Sequence, residues 1–327
     1  LNYASPSAEE ASRRRVDCLV EVWKGGSRTY DVGEPAPTAA AQCARLQATP
    51  FLKAFPVVLT RSFTNLRRQP DIFVARIANP PFLACLFWLF FARLGYGPSS
   101  AQDRIGLVQE MTALQFVGML ACVSIFPFER ALFFHEYKSS ARQSVTTFLA
   151  AYTVQETATS LLSSLPCAVI FVYGMNLQQS GRRFVEFWLS SFALISVGES
   201  VGIFFCTLTA NGGLAVSLIS AGLSLLGQVN GIVSATVPPW LQVIAWISPL
   251  KAQAAITTIN EFAGLTFSCS PEQVASGACI AATGEQVLDT FSLPHSGTGK
   301  YMWILLTLVV LWRAAAWAAL RAKVAFL

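Results

Sequence analysis

The sequence predicts an all-α membrane protein with six transmembrane helices, an N-terminal amphipathic helix at the membrane interface, and a long outer loop between helices five and six. Hydrophobic residues make up 54% of the 327 residues and charged residues only 13%, whereas soluble domains carry roughly a quarter charged residues. Six apolar stretches are each long enough to cross the hydrocarbon layer of ~30 Å, which takes about 20 residues per helix. We therefore expect the lipid bilayer to be the main environment of this chain.

The N-terminal segment, residues 1–50, is polar and contains clusters of Ala, Pro and Thr. This composition is typical of a linker rather than of a packed domain. The chain begins at Leu1, and no signal peptide precedes the first apolar stretch. We expect the chain to be part of a longer protein in which residues 1–50 form a cytosolic linker and residues 51–327 form the membrane domain.

An amphipathic helix is predicted over residues 51–69, directly before the first apolar stretch. Leu52, Phe55 and Leu59 recur every three or four residues, while basic side chains such as Arg61 take the opposite side. A helix with one apolar and one basic face lies in the plane of the membrane interface rather than crossing it.

The membrane spans are predicted from apolar length alone. They cover residues 72–94, 105–126, 148–175, 184–208, 214–237 and 301–320. Six crossings place both ends of the domain on one side, and basic residues near the spans are more numerous on that side. Short basic segments tend to stay in the cytosol, so the sequence predicts cytosolic ends.

The net charge is mildly positive, with 23 basic and 18 acidic residues. This excess fits loops that face an anionic inner leaflet. It is too small to favour binding of nucleic acid, so we expect no nucleic-acid partner.

A charged, aromatic segment follows the second span and runs from Phe126 to Arg142. Its side chains include Glu129, Arg130 and Glu136, which would be costly in hydrocarbon. The segment must therefore lie in water or among headgroups, and its position predicts the cytosolic side. We interpret it as the point through which a cytosolic partner moves the membrane helices.

The connection between spans five and six covers residues 238–300. It opens with an apolar piece, Pro238–Ile259, which we expect to dip into the outer interface, and it continues as a polar outer loop. Cys269 and Cys279 lie in this loop and could form a disulfide if the loop is extracytoplasmic.

The sequence offers little support for catalysis. The two histidines, His135 and His295, lie far apart, which gives no metal-binding spacing. The run Ser296–Lys300 is the nearest approach to a phosphate-binding loop, but Pro294 stands where that motif requires its first glycine. We therefore expect no enzymatic activity, no metal and no cofactor in this chain.

Ionisable residues inside spans are candidates for function. Glu110, Glu199 and Arg313 lie deepest in the predicted spans. Glu199 and Arg313 could pair across the bundle, as a structural link or as part of translocation. Arg76 and Glu156 lie near span ends, and we expect them to reach water by snorkelling.

Small and polar residues form a stripe along the fifth span, among them Ser224, Gly227, Gln228 and Gly231. The spacing Gly227-x-x-x-Gly231 allows close approach of a second helix. The stripe indicates either packing inside one bundle or a dimer seam or substrate cavity.

Four motifs, taken in order, resemble the membrane domain of G-subfamily (White-type) ATP-binding cassette half-transporters. They are Phe128–Tyr137, the run from Gly231 through Pro239-Trp240-Leu241 to Ser248-Pro249-Leu250-Lys251, Asn260-Glu261-Phe262, and Cys269 and Cys279 followed by Thr283–Leu288. Each motif alone is weak, and their order over residues 51–327 is specific.

This resemblance implies a nucleotide-binding domain that precedes residue 1 and binds ATP and Mg²⁺. It also implies a second half-transporter, identical or different, as the dimer partner. The charged segment would then contact the nucleotide-binding domain of the same protein. The residues carried over for this coupling role are Glu129, Arg130, Phe133, His135, Glu136 and Tyr137.

The resemblance further implies a central cavity between two membrane domains and a disulfide between Cys269 and Cys279. An apolar plug between cavity and exit would consist of Ile232 and Val233. The residues carried over to the cavity are Leu114, Val117, Leu223, Ser224, Gly227 and Gln228.

The resulting hypothesis is the membrane half of an ATP-driven exporter in the plasma membrane. It would move a sterol, lipid, pigment precursor or xenobiotic outward by alternating access, and the intact protein would hydrolyse ATP. The alternative is a passive channel, scramblase or structural membrane subunit without a motor domain. A channel is expected to show rings of pore charges or a filter motif, and neither pattern is visible in the sequence.

Overall fold

The computed structural model describes residues 50–138, 143–209, 211–228, 238, 245, 248–269 and 281–325. The linker predicted over residues 1–50 lies almost entirely outside this part. Within it the chain is helical, and the only extended pairing is an isolated antiparallel bridge between Thr266 and Thr283.

The helices are numbered here in chain order along the described residues. They are α1 Phe51–Arg68, α2 Pro70–Phe91, α3 Ser100–Glu110, α4 Ala113–Lys138, α5 Val145–Val169, α6 Gly181–Leu208, α7 Gly212–Gln228, α8 Pro249–Phe262, α9 Gly284–Thr290 and α10 Gly299–Ala325. A short π-helix, Ile170–Gly174, continues α5.

Five helical stretches of the described residues are long and apolar enough to cross a membrane. They are Pro70–Phe91, Ser100–Tyr137, Val145–Gly174, Gly181–Leu208 and Gly299–Ala325. The chain is therefore an integral, multi-pass membrane protein. The sixth predicted span, 214–237, is described only as far as Gln228, where α7 is 17 residues long. The count of six spans, and the interfacial position of α1, stay predictions.

The second predicted span, residues 105–126, does not coincide with a single helix of the structure. The stretch is broken between α3 and α4 near Met111, and α4 then continues past Phe126 to Lys138. Pro127 lies inside this helix without ending it. Because the Glu, Arg, Leu and Lys residues that follow are good helix formers, hydropathy marks where the apolar stretch ends but not where the helix ends.

Helix α6 lies at the centre of the bundle and packs tightly against α4. A Cβ atom at Gly198 would lie 2.1 Å from the carbonyl oxygen of Gln115, and one at Gly118 would lie 2.2 Å from that of Ile195. No real side chain fits at such distances, so both glycines are required by the close approach of the two backbones.

The end of the bundle predicted to be outer is formed by α8, α9 and the segments around them. Gly284 begins α9 directly beneath the end of α8, where an added Cβ would lie 1.9 Å from the carbonyl oxygen of Phe262. Thr283 and Gln286 cap the start of α9 reciprocally. These contacts fix the described part of the predicted outer loop against the end of α8.

Candidate coupling surface and intramembrane charge network

The charged segment is an extension of the spanning helix α4 rather than a separate element. Its described part, Phe126–Lys138, belongs to the same helix as the membrane stretch that precedes it. A displacement of the segment along its axis therefore moves the membrane part of α4 with it, because a continuous α-helix is held by its own ladder of hydrogen bonds.

Glu136 connects this segment to α1. Its carboxylate accepts a hydrogen bond from the guanidinium of Arg61, and the two side chains are 21% and 37% exposed. The pair is partly solvated, so its contribution to folding is expected to be small. It nevertheless places α1 and α4 in direct contact at the end of the bundle predicted to be cytosolic.

Arg130 contacts the end of α6. Its guanidinium donates to the carbonyl oxygen of Cys206 and, at 3.0 Å, to that of Thr209. Lys323 of α10 donates to the carbonyl oxygen of Thr207 at 2.6 Å. Two cations thus satisfy the last carbonyls of α6, where the helix dipole favours positive charge.

Phe133 is fully buried, and its ring stacks on that of Phe148 with centroids 4.5 Å apart. The pair joins the extension of α4 to the start of α5. Of the other predicted coupling residues, His135 is exposed and Glu129 and Tyr137 are half-buried. The predicted coupling residues are therefore of two kinds in the structure. Some contact neighbouring helices and attach α4 to them, and the others remain partly accessible.

A buried network of charges joins four helices in the middle of the bundle. Arg76 of α2 pairs with Glu156 of α5, and their side chains are 6% and 0% exposed. Arg313 of α10 lies 3.4 Å from Glu199 of α6, measured from Nη2 to Oε2. Ser160 of α5 donates to the same Glu199 carboxylate. Each carboxylate thus has a cation from a different helix.

The expectation that Arg76 and Glu156 reach water by snorkelling is wrong. They pair with each other inside the bundle, because two helices that are distant in sequence place them face to face. A cavity of about 10 Å³, roughly the size of one water molecule, lies beside Arg76 and Glu199. Glu110, the third predicted intramembrane charge, is exposed at the end of α3.

The predicted cavity residues do not share one pocket within a single chain. Leu114 is fully buried, and Val117 lines the small cavity beside Arg76. Leu223 lines a separate cavity of about 210 Å³. Ser224 and Gln228 are exposed on α7.

The remaining residue of this predicted set is Gly227, which is buried against Leu250 of α8. The predicted plug, Ile232 and Val233, lies outside the described residues. Cys269 is disulfide-bonded, but Cys279 is not among the described residues, so their pairing stays a prediction.

A third buried ion pair lies at the end of the bundle predicted to be outer, and the sequence analysis did not predict it. Arg104 of α3 pairs with Glu261 of α8, and both side chains are almost fully buried. The other carboxylate oxygen of Glu261 accepts the backbone N–H of Gln178 at 2.9 Å. The Asn260-Glu261-Phe262 motif marked this position, but nothing in the sequence indicated its partner.

Comparison with known proteins finds similarity to ABC transporters. The family model described as ABC-2 type transporter matches residues 53–262. An uncharacterized ABC transporter ATP-binding protein/permease of Saccharomyces cerevisiae is 31% identical over 99% of this chain and 26% of its own length. ABC transporter G family member 1 of Dictyostelium discoideum is 25% identical over 84% of this chain and 35% of its own length.

A mammalian relative shows the same pattern. The broad substrate specificity ATP-binding cassette transporter of Bos taurus is 26% identical over 78% of this chain and 39% of its own length. The chain thus spans between about a quarter and two fifths of the lengths of these relatives.

Proposed function

Because the chain belongs to the ABC-2 type transporter family and carries a G-family membrane domain, we propose that it is the membrane half of an ATP-driven exporter. The substrate is a lipophilic or amphipathic molecule, such as a sterol, lipid, pigment precursor or xenobiotic, and it moves outward by alternating access. In this proposal residues 51–327 form the membrane domain, residues 1–50 form its cytosolic linker, and the plasma membrane is its location.

The observation that carries the proposal is the continuity of α4 from the bilayer to Lys138. A nucleotide-binding domain of the full-length protein would bind ATP and Mg²⁺ and push on the accessible side chains of this segment, which include His135 and Glu129. The contacts of Glu136, Arg130 and Phe133 with α1, α6 and α5 would then distribute that movement over the bundle.

The intramembrane charges are proposed to make four helices move together as the bundle changes between two arrangements. Arg76–Glu156 and Arg313–Glu199 each join two helices, and each pair must remain satisfied in both states because an unpaired buried charge is costly. Four helices joined in this way are expected to move in concert. Differential affinity for substrate in the two arrangements would then couple transport to ATP binding.

The substrate pathway is proposed to lie between two copies of the membrane domain, identical or different. Exposed Ser224 and Gln228 on α7 support this, because polar side chains facing lipid would otherwise lack partners. Leu114, Val117, Leu223 and Gly227 would back this surface. Ile232 and Val233 would close its outer side, and the Cys269–Cys279 disulfide would stabilise the outer loop.

Transport by the full-length protein in inverted vesicles tests the proposal, with sterols, phospholipids and xenobiotics each assayed with and without ATP. Uptake of one class that requires ATP and stops with a non-hydrolysable analogue is the expected result. Flux that is equal without ATP would contradict the exporter and support the passive channel or scramblase.

A further inference from the structure

A polar pocket of about 460 Å³ lies at the end of the bundle predicted to be cytosolic. It is formed where α4 ends, α5 begins and α10 ends, and its walls include Tyr137, Gln143, Thr146 and Arg321. Among the described residues that line it, none carries a side-chain carboxylate. None of its described lining residues belongs to the buried charge network.

The wall of this pocket holds a buried hydrogen-bond donor without a partner. Gln143 is 7% exposed, and its Nε2 has no hydrogen-bond partner among the described residues. A buried amide N–H without an acceptor is unfavourable and is usually satisfied in the working protein. Because the unsatisfied atom is a donor, it indicates a ligand with an acceptor atom.

The start of α5 adds the positive end of a helix dipole to the same wall. Ser144 caps this helix of 25 residues by accepting the N–H of Thr147 at 3.1 Å. The helix begins at Val145 and Thr146, both of which line the pocket. The N-terminus of a long helix attracts anions, because its first N–H groups and its dipole both favour negative charge.

Arg321, near the end of α10, adds a full positive charge to the pocket lining. Its guanidinium lies 5.1 Å from the centroid of the Trp317 ring. The indole N–H of Trp317 in turn donates to Thr146 Oγ1 at 3.2 Å. These contacts hold the guanidinium beside the start of α5, where it can donate two hydrogen bonds to one oxyanion in a bidentate arrangement.

We propose that this pocket binds the phosphate group of an anionic phospholipid from the cytosolic leaflet. A buried amide donor, a helix N-terminus and a guanidinium converge on one space, which fits the several oxygens of a phosphate ester. The lipid source is favoured because the pocket opens at the predicted headgroup level, where anionic lipids concentrate on the cytosolic side.

The test uses the purified full-length protein and native mass spectrometry with phosphatidic acid or phosphatidylcholine of identical acyl chains. The wild type is expected to retain phosphatidic acid. Gln143→Leu and Arg321→Gln are each expected to raise its apparent Kd about tenfold, the effect of losing one charge-assisted hydrogen bond. Arg182→Gln, at the other end of the bundle with a side chain 79% exposed, is the matched control and should not change binding.

Two further comparisons keep the outcome decisive. Gln143→Leu removes an unsatisfied donor, so its melting midpoint should stay unchanged or rise, and a loss of binding cannot then be attributed to unfolding. Gln143→Glu keeps the size of the side chain but repels phosphate, and it should abolish binding.

Wild-type affinity in Gln143→Leu, or failure of the wild type to prefer phosphatidic acid, would overturn the proposal. Equal competition by glycerol 3-phosphate would identify a soluble phosphate ester as the ligand and overturn the lipid assignment.

Discussion

Neutralising Arg76 alone is expected to destabilise the protein more than replacing both members of its ion pair. Arg76→Met leaves Glu156, whose side chain is fully buried, without its cation. Breaking a buried pair in this way costs about 3–5 kcal/mol, whereas replacing both partners by apolar residues is often neutral or stabilising. The free energy of unfolding of the double variant Arg76→Met/Glu156→Leu should therefore lie within about 1 kcal/mol of the wild-type value.

Unfolding of the full-length protein by denaturing detergent in mixed micelles measures this difference. Arg93→Met is the control, because Arg93 is an exposed arginine two residues after the end of α2. A cost below about 1 kcal/mol for Arg76→Met would mean that the pair is hydrated rather than buried, as measured for exposed pairs. The transport rate of the stable double variant then separates the two roles, because wild-type transport would leave the pair a structural link only.

Three further predictions concern packing, capping and pH. Gly198→Ala forces a Cβ about 1 Å inside the closest approach seen for real side chains and should cost about 1–3 kcal/mol. Gly106→Ala, whose nearest neighbour would lie at 3.6 Å, should be neutral or slightly stabilising in the same unfolding assay, because alanine is the better helix former. Arg130→Met should lower the free energy of unfolding by about 1–2 kcal/mol, because the last carbonyls of α6 lose their donor. Normal stability with lost transport would contradict the capping role. The Glu285 carboxylate accepts hydrogen bonds from its own N–H and from that of Gly264, at 3.1 Å, which lower its pKa. The stabilisation from these hydrogen bonds is fully present above the carboxylate's pKa in the unfolded state and is lost as pH falls through its lower folded-state pKa. Amide exchange at Gly264 should therefore accelerate in that pH range relative to the Glu285→Gln variant. Identical pH profiles of exchange in the two proteins would refute this role of Glu285.

Hydropathy predicted most of the long apolar helices well, because the apolar character of a stretch depends on its local composition. The stretches around 72–94, 148–175, 184–208 and 301–320 all correspond to helices of the structure. Their ends were less predictable. A helix such as α4 continues wherever its backbone hydrogen bonds continue, whereas the apolar pattern stops at the membrane boundary.

Pairings between distant residues could not be predicted in the same way. Arg76 and Glu156 are each ordinary near a span end, and only the packing of α2 on α5 makes them partners. Arg104 and Glu261 are paired by the packing of α3 on α8. Sequence periodicity indicates which face of a helix is apolar, but it does not indicate which helix lies opposite.

The candidate coupling site shows the same division. The charged segment was predicted from the cost of placing Glu129 and Arg130 in lipid, a local argument. That Phe133 is buried against Phe148 follows from tertiary packing. The sequence pattern therefore predicted a candidate site but could not separate its buried side chains from its accessible ones.

The central claim, that movement at the α4 extension drives transport, is tested most directly by exchanging the charges of Arg61 and Glu136. ATP-driven uptake per ATP hydrolysed is compared among Arg61→Glu, Glu136→Arg and the double exchange in the full-length protein. Each single variant should lower this ratio roughly fivefold, the equivalent of about 1 kcal/mol for a partly solvated pair. The double exchange should restore most of it. Wild-type ratios in all three variants would contradict the claim.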